Sequence, residues 1–144
     1  MMKIVPGYET WSEIDLLAGV IVGEASGEPS DGQVAVGLVI RTRVQHPRWW
    51  GRNWREVVLC KSQFSCWADH NAYRIVQARG ARSPAWAKAW FIARDIYLGV
   101  TQDYLDRATH YHAHDISPQW AAKMIRLDRI GDHVFYRDPG EIGG

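Results

Sequence analysis

The chain has 144 residues, of which 47% are hydrophobic and 23% charged, which fits one folded domain and excludes the disordered class. The formal charge of +1 argues against a general nucleic-acid or acidic-lipid binder, yet it hides a division along the chain. Residues 1–40 hold one base and six acids (−5), residues 41–94 eleven bases and two acids (+9), and residues 95–144 five bases and eight acids (−3).

In chain order, Ser12-Glu13-Ile14-Asp15 opens a helix whose apolar positions Ile14, Leu17, Ala18, Ile21 and Ala25 recur at spacings of three and four, and Gly27-Glu28-Pro29 ends it. Ser30 and Gln33 stand at capping-box spacing before a second, largely buried helix over 34–44, stopped by Pro47. Asn53 and Glu56 start a short helix reaching Cys60, and Gln63-Phe64-Ser65-Cys66-Trp67 reads as an extended piece or tight loop. A weak helix over 71–78 precedes a stronger one that begins with Ser83-Pro84, carries Trp86, Ala89, Trp90, Ala93 and Tyr97, and stops at Gly99. The period then changes. Residues 108–114 alternate like a strand, Ser117-Pro118 caps a short helix over 120–124, and two strand-like runs flank a Gly131-Asp132 hairpin turn. Helices first and a small antiparallel sheet late make an α+β domain. The Gly- and Pro-rich end from Asp138 reads as a loose tail.

Glu24 falls on the inward face of the first helix, where burial favours the neutral carboxyl that a general acid needs near neutral pH; a solvated helix carboxylate is the alternative. Glu28, four residues on, either ties the turn through backbone donors or touches a substrate. Ordinary glycosidases need two carboxylates roughly 5–9.5 Å apart, and one dependable Glu suggests another route. His110, His112 and His114 alternate, so one strand face could carry three imidazoles, with His133 a fourth zinc ligand; hydrogen-bonded histidines beside a cleft are the competing reading. Trp49, Trp50 and Trp54 interleave with Arg48, Arg52 and Arg55. That mixture suits nucleic acid, an acidic glycan, or simply rings that cover the core. Cys60 and Cys66 could form one bridge but read as two reduced thiols. No apolar run approaches the roughly 20 residues that span a bilayer, and the first eleven residues lack the order of a signal peptide.

Leu17 to Val44, "LAGVIVGEASGEPSDGQVAVGLVIRTRV", then Gln63-Phe64-Ser65-Cys66-Trp67, Ala108-Thr109-His110-Tyr111-His112 and Ile130-Gly131-Asp132-His133-Val134-Phe135-Tyr136, resemble the cell-wall hydrolases of the spore cortex-lytic (SleB/CwlJ) type, whose relatives include phage endolysins. The resemblance implies a small, lysozyme-like, mostly helical catalytic domain over 1–138 with a flexible tail at 139–144. It implies cleavage of the bond between muramic acid and glucosamine in peptidoglycan, as a lytic transglycosylase with Glu24 as acid and base. The implied substrate-contacting set is Glu28, Gln63, Phe64, Ser65, His110 and Tyr111, with Gln63, Ser65 and Tyr111 either orienting sugar amides or holding Glu24, and His110 and His133 anchoring the sheet. No cofactor and no metal are implied. The implied partner is the peptidoglycan glycan strand rather than nucleic acid, and the implied form is a monomer without stable membrane insertion. It would be made in a host cytoplasm and act on the wall after holin-dependent release. Hydrolysis as a muramidase, or a zinc amidase built on His110, His112 and His114, are the alternatives. Ser26 stands where the commoner form of the motif has Arg.

Overall fold

A computed structural model describes residues 3–142. Its centre is α1, Glu13–Ala25, whose residues Leu16, Leu17, Ala18, Val20 and Ile21 are all fully buried. A helix apolar on every side must be enclosed, and α1 is packed against α2 (Ser30–Gln45), α3 (Trp54–Leu59), α4 (Asp69–Ala81) and α5 (Pro84–Tyr97). The caps form as the sequence directs: Ser12, Asn53 and Ser83 accept backbone N–H groups of Asp15, Glu56 and Trp86. The capping box at Ser30 does not form. Pro29 occupies the cap position in extended conformation, Ser30 is already helical, and buried Gln33 reaches back through Nε2 to the Glu28 carbonyl at 3.3 Å.

The helices give way to a three-stranded antiparallel sheet in the order β1 (His110–Ala113), β3 (His133–Arg137), β2 (Ile125–Ile130). The middle strand carries the burial, with Phe135 fully enclosed, and Gly131 turns the hairpin at φ +58°. The segment expected as a short helix over 120–124 is a 3₁₀ turn, Gln119–Lys123. The helix expected over 71–78 extends to Asp69 and Ala81. The loose tail is corrected in part. Pro139–Ile142 is a helical turn (α6), Ile142 packs on the core, and Arg48 donates to the Glu141 carbonyl at 3.0 Å; residues 143–144 lie outside the described part. No described helix is long and apolar enough to cross a membrane.

Folding also redistributes the charge pattern. Asp15, in the first turn of α1, takes Arg79 of α4 and the indole N–H of Trp90 of α5, both at 3.0 Å. Arg55 donates to the Tyr8 and Trp11 carbonyls, Arg41 to the Thr101 carbonyl, and Arg52 pairs with Glu56. Arg41, Arg43 and Arg55 are thus engaged by backbone carbonyls, whereas Arg48, Arg52, Lys61, Arg74, Arg82 and Lys88 stay exposed. Trp50 is fully buried and Trp54 half-buried against Tyr97, so of the three neighbouring tryptophans only Trp49 is exposed.

Candidate active site

Glu24 sits in the last turn of α1, half-buried. Two donors hold its carboxylate. The Tyr111 hydroxyl donates to Oε1 at 2.7 Å, and the Cys66 backbone N–H donates to Oε2 at 3.3 Å. The second contact depends on glycine. A Cβ at Gly23 would lie 2.3 Å from the Cys66 Cβ, and one at Gly19, a turn earlier, 2.9 Å from the Trp67 ring. These two glycines let the 3₁₀ turn Ser65–Trp67 settle directly on α1.

Tyr111 reaches Glu24 because β1 alternates. Its ring faces α1, which sends His110 and His112 to the other side, against Trp120. Burial pushes the Tyr111 phenol well above its ordinary pKa, and the neighbouring Glu24 carboxylate adds to the effect, so Tyr111 stays a donor. Burial, reinforced by Glu24, likewise pushes the Cys66 thiol up. A neutral thiol is no nucleophile. Cys60 and Cys66 are both free thiols.

Two openings flank the carboxylate and share Glu24 and Ser65. One, of about 220 Å³, is lined further by Ser26, Asn71 and Arg74. The other, of about 490 Å³, is lined by Lys61, Ser62, Gln63 and Phe64. Among the described residues Glu24 is the only carboxylate on either. Gln63 is oriented by buried Arg43, whose Nη1 donates to its Oε1 at 3.3 Å. A guanidinium can only donate, so the amide oxygen must face Arg43, and the amide NH2 is left as the group for a ligand. Arg43 itself donates to the Thr109 carbonyl at 2.9 Å and lies 5.3 Å from the Trp50 ring; burial brings its pKa down to about 10, and it remains charged near neutrality.

Of the residues expected to contact substrate, Gln63, Phe64 and Ser65 line the openings, although Phe64, 6% exposed, is a wall and not a platform. Tyr111 takes the role of holding Glu24, to which it donates, and lines neither opening. Of the two roles open to Glu28, the contacts are those of the tie. It accepts the Asp132 backbone N–H at 2.9 Å and faces His133 Nδ1 at 3.2 Å, which ties the α1–α2 turn to the β2–β3 hairpin. His110 is likewise away from the openings, with Nδ1 2.9 Å from the Thr109 hydroxyl; burial, with Arg43 nearby, pushes its pKa down to about 4. The imidazoles do not converge. His112 lies between the Ala113 carbonyl and the Tyr136 hydroxyl, His114 lies 3.7 Å from Asp132, and no metal-binding group of three forms among the described residues. Asn71 and Arg74 were not foreseen. Their helix is polar and weakly periodic, so nothing in the sequence directed them toward Glu24.

If Glu28 is the tie that this geometry describes, Glu28→Ala leaves the Asp132 N–H without its acceptor. The expected loss is about 1–3 kcal/mol of stability, read as a lower denaturant midpoint. An unchanged midpoint would remove Glu28 from the tie.

Comparison with known proteins places these features in context. The profile of the cell wall hydrolase family matches residues 27–136, starting three residues after Glu24. The chain is 31% identical over 132 residues to a spore cortex-lytic enzyme of Halalkalibacterium halodurans and 29% identical over 134 residues to that of Bacillus subtilis. Each match covers 91% of this chain but only 36% and 39% of those proteins, so the chain spans less than half their length. Among solved structures, the catalytic domain of the germination-specific lytic transglycosylase SleB from Bacillus anthracis superposes with a TM-score of 0.68 at 26% identity, covering 92% of this chain and 100% of that one. The catalytic domain of Bacillus cereus SleB gives 0.68 at 27% identity, covering 92% and 95%.

Proposed function

The chain belongs to the cell wall hydrolase family, and from that premise we propose that it cleaves the bond between muramic acid and glucosamine in peptidoglycan as a lytic transglycosylase, with Glu24 as acid and then base. The observation that carries the reading is the single carboxylate. Hydrolysis by paired carboxylates needs a second acid within about 5–9.5 Å, whereas Glu24 is the only one among the described residues lining the two openings. The likeness to the catalytic domain of the germination-specific lytic transglycosylase SleB supports the same chemistry.

In this reading the protonated Glu24 gives its proton to the glycosidic oxygen, the C1–O bond breaks, and the glucosamine side leaves with a free 4-hydroxyl. The positive charge that develops at the muramic C1 is stabilised by the new carboxylate. Glu24 then takes the proton of the muramic 6-hydroxyl as O6 bonds to C1. The product end is a 1,6-anhydro sugar, the enzyme returns to its starting protonation state, and no water is consumed. Tyr111 and the Cys66 N–H keep the carboxylate aimed throughout. Mass spectrometry of muropeptides from digested sacculi tests the class: anhydro ends support it, and released stem peptides would replace it with an amidase.

The phage-lysis setting belongs to the proposal as well, on the resemblance to a family whose relatives include phage endolysins. Expressed in a bacterial host, the chain is expected to lyse cells only when an inner-membrane pore is co-expressed.

Tyr111→Phe keeps the ring and removes the donor. A hydrogen bond to a charged group contributes about 1.5–3 kcal/mol, so kcat should fall on the order of tenfold to a hundredfold. KM should hold, because Tyr111 lines neither opening. A change confined to KM would mean that Tyr111 contacts the sugar instead.

A further inference from the structure

The Trp- and Arg-rich stretch around residues 48–55 has no part in the cleavage described above. Trp49 borders a depression of about 650 Å³, lined also by Lys3, Arg48, Arg52, Glu56 and Lys61. Lys61 is at the same time a wall of the larger opening beside Glu24, so the depression adjoins that opening. We propose that this depression is a distal subsite for the same glycan strand: the Trp49 face takes a sugar ring remote from the cleaved bond, and Lys3 and Lys61 take the carboxylates of its stem peptide. The proposal rests on the peptidoglycan reading above.

Three observations support it. First, the Trp49 ring is 52% exposed yet firmly based. It meets Trp50 edge-on at 5.5 Å, and Trp50 is fully buried with its indole N–H donating to the Arg43 and His46 carbonyls. The turn that presents it is closed at Gly51, with φ +133° and a hypothetical Cβ 2.8 Å from the Val57 nitrogen, a place no other residue fits. A fixed ring loses little freedom on stacking against a sugar. Second, the charges there are unequal in availability. Arg52 is held by Glu56 at 3.1 Å and Arg48 lies 3.5 Å from Glu141, whereas Lys3 and Lys61 have no acidic partner among the described residues. Third, the antiparallel bridge Ile4–Cys60, with the Lys61 N–H donating to the Lys3 carbonyl at 3.1 Å, sets those two lysines side by side. Free ammonium groups beside a fixed aromatic face suit a sugar that bears carboxylates. A single-stranded nucleic acid would use similar groups, but the place of the depression beside the Glu24 opening, with Lys61 on both, favours the glycan.

The test compares kcat/KM on long, uncross-linked glycan strands with that on a short tetrasaccharide muropeptide, for the wild type, Trp49→Ala, Trp49→Phe and the double variant Lys3→Gln/Lys61→Gln. The wild type should prefer long strands. Trp49→Ala should cut that preference about tenfold through KM, Trp49→Phe should restore most of it, and the lysine variant should remove its dependence on salt. Retention on sacculi of the Glu24→Gln protein, with and without Trp49→Ala, should show the same loss without turnover. An unchanged long-to-short ratio together with unchanged retention overturns the subsite. Competition for that retention by a single-stranded oligonucleotide in the wild-type patch, lost in Trp49→Ala, overturns the glycan as its ligand. Full activity of Glu24→Gln would instead overturn the catalytic reading, leaving the ratio to judge the subsite on its own.

Discussion

Glu24→Gln is expected to lower the rate of glycan cleavage by roughly a hundred- to ten-thousand-fold, the range lost with a general acid or base. The protein should remain folded, because the new amide can keep both contacts. Its oxygen can accept the Cys66 N–H, and its NH2 can donate to the Tyr111 oxygen, since a phenol accepts as well as donates. What the amide cannot do is release a proton to the glycosidic oxygen or recover one from the 6-hydroxyl. Loss of activity with an unchanged denaturation midpoint is therefore the expected pair of results. Retention of most of the activity would take the acid/base role away from Glu24, whatever the products.

Gly23→Ala is expected to damage both stability and rate. In an ordinary exposed helix the change would help by about 0.8–1 kcal/mol through helix propensity. Here the new methyl would lie 2.3 Å from the Cys66 Cβ and 2.8 Å from its sulfur, so the 3₁₀ turn must move away from α1. Overpacking of a fitted contact costs about 1–3 kcal/mol, which outweighs the propensity gain. The same displacement withdraws the Cys66 N–H from Glu24, and misplacement near 1 Å can cost on the order of a hundredfold in rate. Gly80→Ala is the matched control. Gly80 lies within α4 with no atom within 4 Å of its hypothetical Cβ, so that variant should gain up to about 1 kcal/mol and keep its activity. Equal effects of the two substitutions would mean that the turn does not depend on the glycine contact.

These variants mark where the amino-acid sequence was informative and where it was not. The caps at Ser12, Asn53 and Ser83 are local devices, and each forms where its spacing predicts. Glu24 was legible because it follows the apolar period of a helix enclosed on all sides. Its two holders differ in that respect. Tyr111 is one of several aromatic and polar residues that alternate along β1, and which set faces α1 is decided by the packing of the sheet on the helices, a non-local fact. The Cys66 donor is a backbone group and leaves no mark in residue identity except the small residue opposite it, Gly23. For Glu28 and His110 the partner, and not the residue type, decides which of the roles open to them holds. A buried polar side chain must be paired, and both have partners remote in sequence or in the strand face turned from the cleft. A count of charge along the chain cannot distinguish a solvated arginine from Arg55, which closes two carbonyls, or from Arg43, which is enclosed beneath the site.

The central claim is that one carboxylate suffices because the substrate supplies its own nucleophile. Digestion of purified sacculi in water enriched in heavy oxygen, followed by mass spectrometry of the released muramic ends, tests it most directly. The predicted result is anhydro-muramic ends with no heavy oxygen incorporated, since O6 and not water closes on C1. Reducing ends that carry the heavy oxygen would contradict it, and would require a second group to activate water beside Glu24.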